Sequence, residues 1–120
     1  ARISFGAHTH THRALSSFDA ARFKEEICQP KEILEYHLKQ KIDAFAYPYG
    51  EQDDFNTQSV DGIKMAGYKF ALTMIQGSVG AGDNVFNLPR IGIGGNDTNE
   101  IFQLKISGLV PLCRQKKISR

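Results

Sequence analysis

The chain has 120 residues, 41% of them apolar and 23% charged, and its 15 basic and 13 acidic side chains leave a formal net charge of +2. That composition is ordinary for a globular domain with one modest core. The near-balanced charge does not argue for nucleic acid as a partner. No apolar run approaches the roughly 20 residues a membrane-spanning helix needs. The longest candidate, "ISGLVPLC", is short and carries Pro111. The chain begins at Ala1 rather than methionine. We expect a single domain over 1–120 that is N-terminally incomplete, and localisation is not read from it. Its last stretch, 109–120, ends in "RQKKISR" and is expected to be a solvated basic tail. Cys28 and Cys113 stand apart without Cys-x-x-Cys spacing, so buried or free thiols are expected rather than a disulfide between them.

In chain order, "RISFGAH" reads as a short strand in which Ile3 and Phe5 alternate with polar neighbours and Gly6 loosens the backbone. Ser16, Ser17 and Asp19 offer caps for a helical run from Asp19 to Lys41. Phe23, Ile27, Ile33, Leu34, Tyr36 or His37, and Leu38 recur there at helical spacing, and Pro30 is expected near the start of a second helical part. "IDAFAYPYG" reads as a buried strand closed by a turn. The next segment, through Tyr68, predicts a loop and a short helix with Val60, Ile63 and Met65 inward, stopped by Gly67. "YKFALTMI" is a third strand, "QGSVGAGDN" a glycine-rich loop and "VFNLPRIGIGG" a fourth strand. Asp97 is expected to cap a last helix over "TNEIFQLKISGL".

The order β-α-β-α-β-loop-β-α implies parallel pairing and an α/β fold. A closed (β/α) barrel takes about 250 residues. The chain is therefore a small open sheet or part of such a barrel.

Three of the four histidines fall in "AHTHTH", at His8, His10 and His12. Imidazole is the commonest protein ligand for zinc and related ions. His8 and His12 are four apart and follow a predicted strand, so they belong to the edge where parallel α/β folds gather their sites. If the segment stays extended, all three rings share a face. If it turns, His10 points away from the other two. A catalytic divalent site usually has three protein ligands. Asp43, Asp53, Asp54, Asp61, Asp83, Asp97 and several glutamates are candidates, and spacing singles out none.

In "FAYPYG", Pro48 and Gly50 fix a sharp turn at a strand end. Tyr47 and Tyr49 could stack on a sugar ring there, and the turn amides could hold an oxyanion. Arg90 is a lone cation in an apolar strand, either paired with a carboxylate or facing solvent. The glycines of "GIGGND" lack a dinucleotide fingerprint, and "GSVGAG" lacks the Lys-Ser/Thr ending of a phosphate loop.

Taken in order, "GAHTHTHRAL", "EEICQPKEILEYHL", "FAYPYG", "AGYKFALT" and "LPRIGI" resemble the polysaccharide deacetylase (NodB-homology) family, the family-four carbohydrate esterases. Within it, the chain is most similar to the subgroup carrying Tyr-Pro-Tyr-Gly, over about Ile3 to Ile93. The resemblance implies part of a deformed (β/α) barrel with a divalent metal, commonly zinc. It implies a hydrolase of carbon–nitrogen bonds that removes acetyl groups from N-acetylated polysaccharide or oligosaccharide with metal-activated water. By the His-Thr-x-x-His match, His8 and His12 are the metal ligands, Thr9 is the motif's threonine and His10 occupies a variable position. The Tyr49 amide maps to the oxyanion donor. Tyr47 and Pro48 are read as substrate-binding residues of that turn. Arg90, which does not match the position of the family arginine that orients the base, is read as a substitute for it.

Departures from the family pattern set further expectations. The family's Asp-Asp pair, which supplies the base and the third ligand, precedes the histidines, and only seven residues precede His8 here. Asp53-Asp54 follows the wrong motif. Ala46 stands where the family often has arginine, and no Leu-x-His lies near the C-terminus. The chain alone is therefore expected to have little deacetylase activity, and to self-associate or pair with a missing barrel segment. The alternative is a non-catalytic carbohydrate- or metal-binding module on the same scaffold.

Overall fold

A computed structural model of the chain describes residues 3–108. The expected basic tail and Cys113 lie outside the described residues. Four strands, β1 (Gly6–Ala7), β2 (Ala44–Ala46), β3 (Phe70–Gln76) and β4 (Leu88–Arg90), form one sheet in the order β1-β2-β3-β4. Every pair is parallel, with Ala7 opposite Phe45 and Phe45 opposite Ala71. Each strand lies beside its chain predecessor without reversal. That is the progression of a (β/α) barrel arc, and it differs from a doubly wound sheet, where the order switches direction.

The crossover from β1 to β2 begins at α1 (Ala20–Phe23), where the Asp19 carboxylate accepts the Arg22 N–H at 3.1 Å. It widens into a π-helical stretch, Lys24–Cys28, and continues as α2 (Gln29–Leu38). Pro30 accounts for the widening. It has no N–H for the carbonyl of Glu26, four residues back, and its ring crowds that carbonyl in an α-turn. Two consecutive side chains, Glu26 and Ile27, consequently turn inward. The helix ends at Lys39, whose φ of 53° is left-handed.

The second crossover, α3 (Thr57–Met65), starts with a reciprocal capping box between Asn56 and Ser59. It ends where the Gly67 N–H donates to the Lys64 carbonyl and the Tyr68 N–H to the Ile63 carbonyl, with Gly67 at φ 78°. A glycine-rich loop, without a helix, joins β3 to β4. The last helix is α4 (Asn99–Ser107), and its cap is Thr98 rather than Asp97. Asp97 instead accepts the Gly94 N–H and pairs with Lys105 at 2.6 Å, fastening the preceding turn to α4.

One core gathers Leu15, Phe23, Ile27, Ile42, Phe45, Ile63 and Tyr68 between helices and sheet. Met65, expected inward, is 89% exposed, and Ile33, Tyr36 and His37 of the expected helical repeat also lie outside the core. At 3.6 residues per turn, a residue two positions from an inward one lies roughly 200° around the helix. Met65 stands in that relation to Ile63, and Tyr36 to both Leu34 and Leu38. The first strand is also shorter than expected. Ile3 and Phe5 are exposed, and β1 pairs only with β2, which is three residues long.

Candidate metal centre

Parallel strands put all four C-terminal ends on one edge, and the expected site residues follow those ends. The Ala7–Phe45 register places His8 beside Ala46. The His8 Nδ1 lies 2.8 Å from the Ala46 carbonyl oxygen. A carbonyl only accepts, so the proton of this bond sits on Nδ1 and the Nε2 lone pair is left for another partner. Ligating histidines are oriented in this way, by the bond their other nitrogen makes.

The segment after His8 turns. Thr9 and His12 both adopt left-handed backbone, at φ 61° and 59°. For a β-branched threonine this conformation is strained, and strain of this kind concentrates at functional sites. The Thr9 hydroxyl accepts the His12 N–H at 3.0 Å and closes the turn. The rings of His8 and His12 meet edge to face with centroids 4.7 Å apart, and His12 meets the Tyr49 ring at 5.3 Å. Of the two conformations the histidine spacing allowed, the chain takes the one that pairs His8 with His12.

Glu26 was not singled out from the sequence. It is 5% exposed and stands in the π-helical stretch. Its Oε2 accepts the backbone N–H groups of His10 and Thr11, each at 2.9 Å. Its Oε1 accepts the Thr11 hydroxyl at 2.6 Å. Burial pushes this carboxyl up, but the Thr11 hydroxyl and the two N–H groups outweigh it, and the group stays below the usual carboxylate range. The one signal for it in the sequence is Pro30, four residues on.

The Tyr-Pro-Tyr-Gly turn divides its side chains. Tyr47 and Pro48 were expected to face substrate, and both are buried. Tyr47 stacks on Phe55 with centroids 4.2 Å apart and donates to the Phe86 carbonyl at 2.9 Å, and burial pushes its phenol well up. Both side chains are core, and they support the turn from beneath. Tyr49 is 61% exposed at φ 60°, the centre of a tight turn closed by the Gly50 N–H on the Pro48 carbonyl at 2.7 Å. A γ-turn with positive φ is rare and strained. Among the described residues the Tyr49 N–H has no hydrogen-bond partner.

A groove of about 370 Å³ is lined from all four strands and includes His8, Phe5, Leu72 and Arg90. Arg90 is half-buried and forms no ion pair among the described residues. Five of the six candidate aspartates, all but Asp53, are engaged elsewhere. Asp43 pairs with Lys69, Asp61 with Lys64 and Asp97 with Lys105, while Asp54 and Asp83 accept local backbone N–H groups. Among the described residues no group of three or more His, Cys, Asp or Glu side chains is arranged to hold a metal ion. His8 and His12 fit a divalent ion as two members of a larger donor set.

A family model for polysaccharide deacetylase matches residues 1–71. The chain belongs to the polysaccharide deacetylase family. The deacetylase PplD of Streptococcus pyogenes, solved in complex with acetate, is similar at 27% identity and a TM-score of 0.78, over 85% of this chain and 44% of that one. BC0361, a polysaccharide deacetylase from Bacillus cereus, is similar at 29% identity and a TM-score of 0.74, over 86% of this chain and 32% of that one. The chain thus spans less than half the length of either. No curated protein matches it.

Proposed function

We propose that His8 and His12 are two ligands of a divalent cation, zinc foremost, in a deacetylase that cleaves the acetyl amide of N-acetylated polysaccharide or oligosaccharide. The observation that carries this is the His8 Nδ1–Ala46 carbonyl bond, which fixes the tautomer and leaves Nε2 for another partner on a ring whose centroid is 4.7 Å from that of His12. A bound divalent ion supplies Lewis acidity and lowers the pKa of water toward neutrality. The chain's own groups do the rest. The unpartnered Tyr49 N–H donates to the amide oxygen as it gains negative charge. The exposed Tyr49 ring offers a face to the sugar, and Arg90 orients a carboxylate at the rim of the groove. The Tyr47–Gly50 sequence supports reading the chain as a member of the Tyr-Pro-Tyr-Gly subgroup.

In this reading the base and the third ligand are carboxylates outside residues 3–108. A positioned general base is worth about 10²–10⁴-fold in rate, so the chain alone releases acetate slowly. Acetate release from chito-oligosaccharide tests this: a rate that zinc raises and a chelator abolishes means the catalytic set is complete within these residues and overturns the two-donor reading. Titration of ¹⁵N-labelled protein with the same oligosaccharide tests the place. Shifts are expected at His8, His12 and Tyr49, and shifts confined to residues away from the groove contradict the site.

A further inference from the structure

Glu26 is a buried carboxylate with no cation beside it among the described ion pairs. A buried charge of this kind is costly unless its oxygens are satisfied. All three of its hydrogen bonds come from His10 and Thr11, the two central residues of the turn between His8 and His12. The turn itself is strained at both shoulders, with Thr9 and His12 left-handed, and the bond from the His12 N–H to the Thr9 hydroxyl closes it from within. A strained segment persists when its surroundings over-determine it. The surroundings here are one carboxylate, delivered inward by the register slip that Pro30 imposes on its helix.

We propose that Glu26 is a positioning residue of the metal centre. Its two oxygens hold the backbone of His10 and Thr11, and so hold His12 in the left-handed conformation that turns its ring toward His8. This rests on the reading of His8 and His12 as ligands. It assigns to His10 a part as well: its backbone is clamped while its ring stays outside the pair. The arrangement extends the orientation of the ligands from side chain to main chain. The Ala46 carbonyl sets the ring of His8, and the Glu26 carboxylate sets the backbone of His12.

The test is zinc affinity of the full chain by competition with a chromophoric chelator, beside Glu26→Leu, Glu26→Gln and His8→Ala. Partners that orient metal ligands are worth roughly 10–100-fold in affinity. Glu26→Leu, which keeps the volume and removes all three acceptors, is expected to lose affinity in that range. Glu26→Gln retains an acceptor for the N–H groups and should recover most of it. Circular dichroism and melting report whether each variant is folded. If Glu26→Leu does not fold, Thr11→Val removes one of the three bonds and is expected to weaken binding roughly 3–10-fold. Wild-type affinity in folded Glu26→Leu, or in Thr11→Val where Leu fails to fold, overturns the positioning role while His8→Ala still loses zinc. Absence of zinc binding in the wild type, or binding untouched by His8→Ala, is the different failure in which the ligand reading falls and the positioning role with it.

Discussion

Replacing Gly50 by alanine probes the turn that carries the Tyr49 amide. Gly50 has φ 66°, and a Cβ there would stand 2.7 Å from the Met74 backbone nitrogen. Left-handed backbone costs an alanine roughly 1–2 kcal/mol relative to glycine. The clash is with main chain, so no side-chain rotation relieves it. Moving Met74 breaks its N–H bond to the Gly50 carbonyl, now 2.9 Å, at about 1 kcal/mol more. The total is about 2–3 kcal/mol. For a domain of this size that lowers Tm by roughly 8–12 °C. Gly67→Ala is the control, because Gly67 has φ 78° with nothing within 4 Å of the added Cβ. It should lose only the conformational share, about 1–2 kcal/mol. Thermal and urea unfolding by circular dichroism measure both. A Gly50→Ala protein no less stable than Gly67→Ala refutes the claim that the turn is pinned against β3.

Other consequences follow from the same contacts. Tyr68→Phe removes the phenol donated to the Ile27 carbonyl at 2.8 Å, in the stretch where the helix widens. A loss of about 1–2 kcal/mol is expected in urea unfolding, and an unchanged midpoint contradicts that bond. Burial raises the phenols of both Tyr47 and Tyr68 above their ordinary value of 10.0. The unfolded chain therefore releases these protons first, so stability holds below about pH 10 and falls above it, by at most about 1.4 kcal/mol per phenol per pH unit. Unfolding midpoints that stay level from pH 9 to 11 contradict this. On α4, Ile101, Phe102, Leu104 and Ile106 are all exposed. Apolar surface of that extent predicts concentration-dependent association in sedimentation velocity, and a monomer at high concentration argues against it.

Element order and type were legible because they rest on periodicity. The alternation of strands with helical runs implied a parallel sheet, and the sheet is parallel throughout. Errors arose where one residue's neighbours decide its direction. Met65 is apolar and lies in an amphipathic helix, yet it falls on the face away from Ile63. Asp97 and Thr98 are both good caps, and the choice was settled by Lys105, which holds Asp97 from the last turn of α4. At the site, spacing and chain position brought His8 and His12 into view but left the path of the segment open, because its turn depends on left-handed backbone at Thr9 and His12. Tyr47 looked like a partner for sugar because aromatic side chains serve both roles; its stacking on Phe55 decides for the core. Glu26 was hidden for a physical reason. Its partners are backbone groups sixteen and fifteen residues away, and its inward direction comes from the slip at Pro30 rather than from regular helical spacing.

Two of the three clustered histidines, His8 and His12, are proposed to hold a metal. Zinc binding by titration calorimetry, on the wild type and on His8→Ala, His10→Ala and His12→Ala, tests it most directly. One zinc site is expected, retained in His10→Ala and weakened at least about 10-fold in each of the other two. Binding that survives both His8→Ala and His12→Ala, or that is lost with His10 instead, contradicts it.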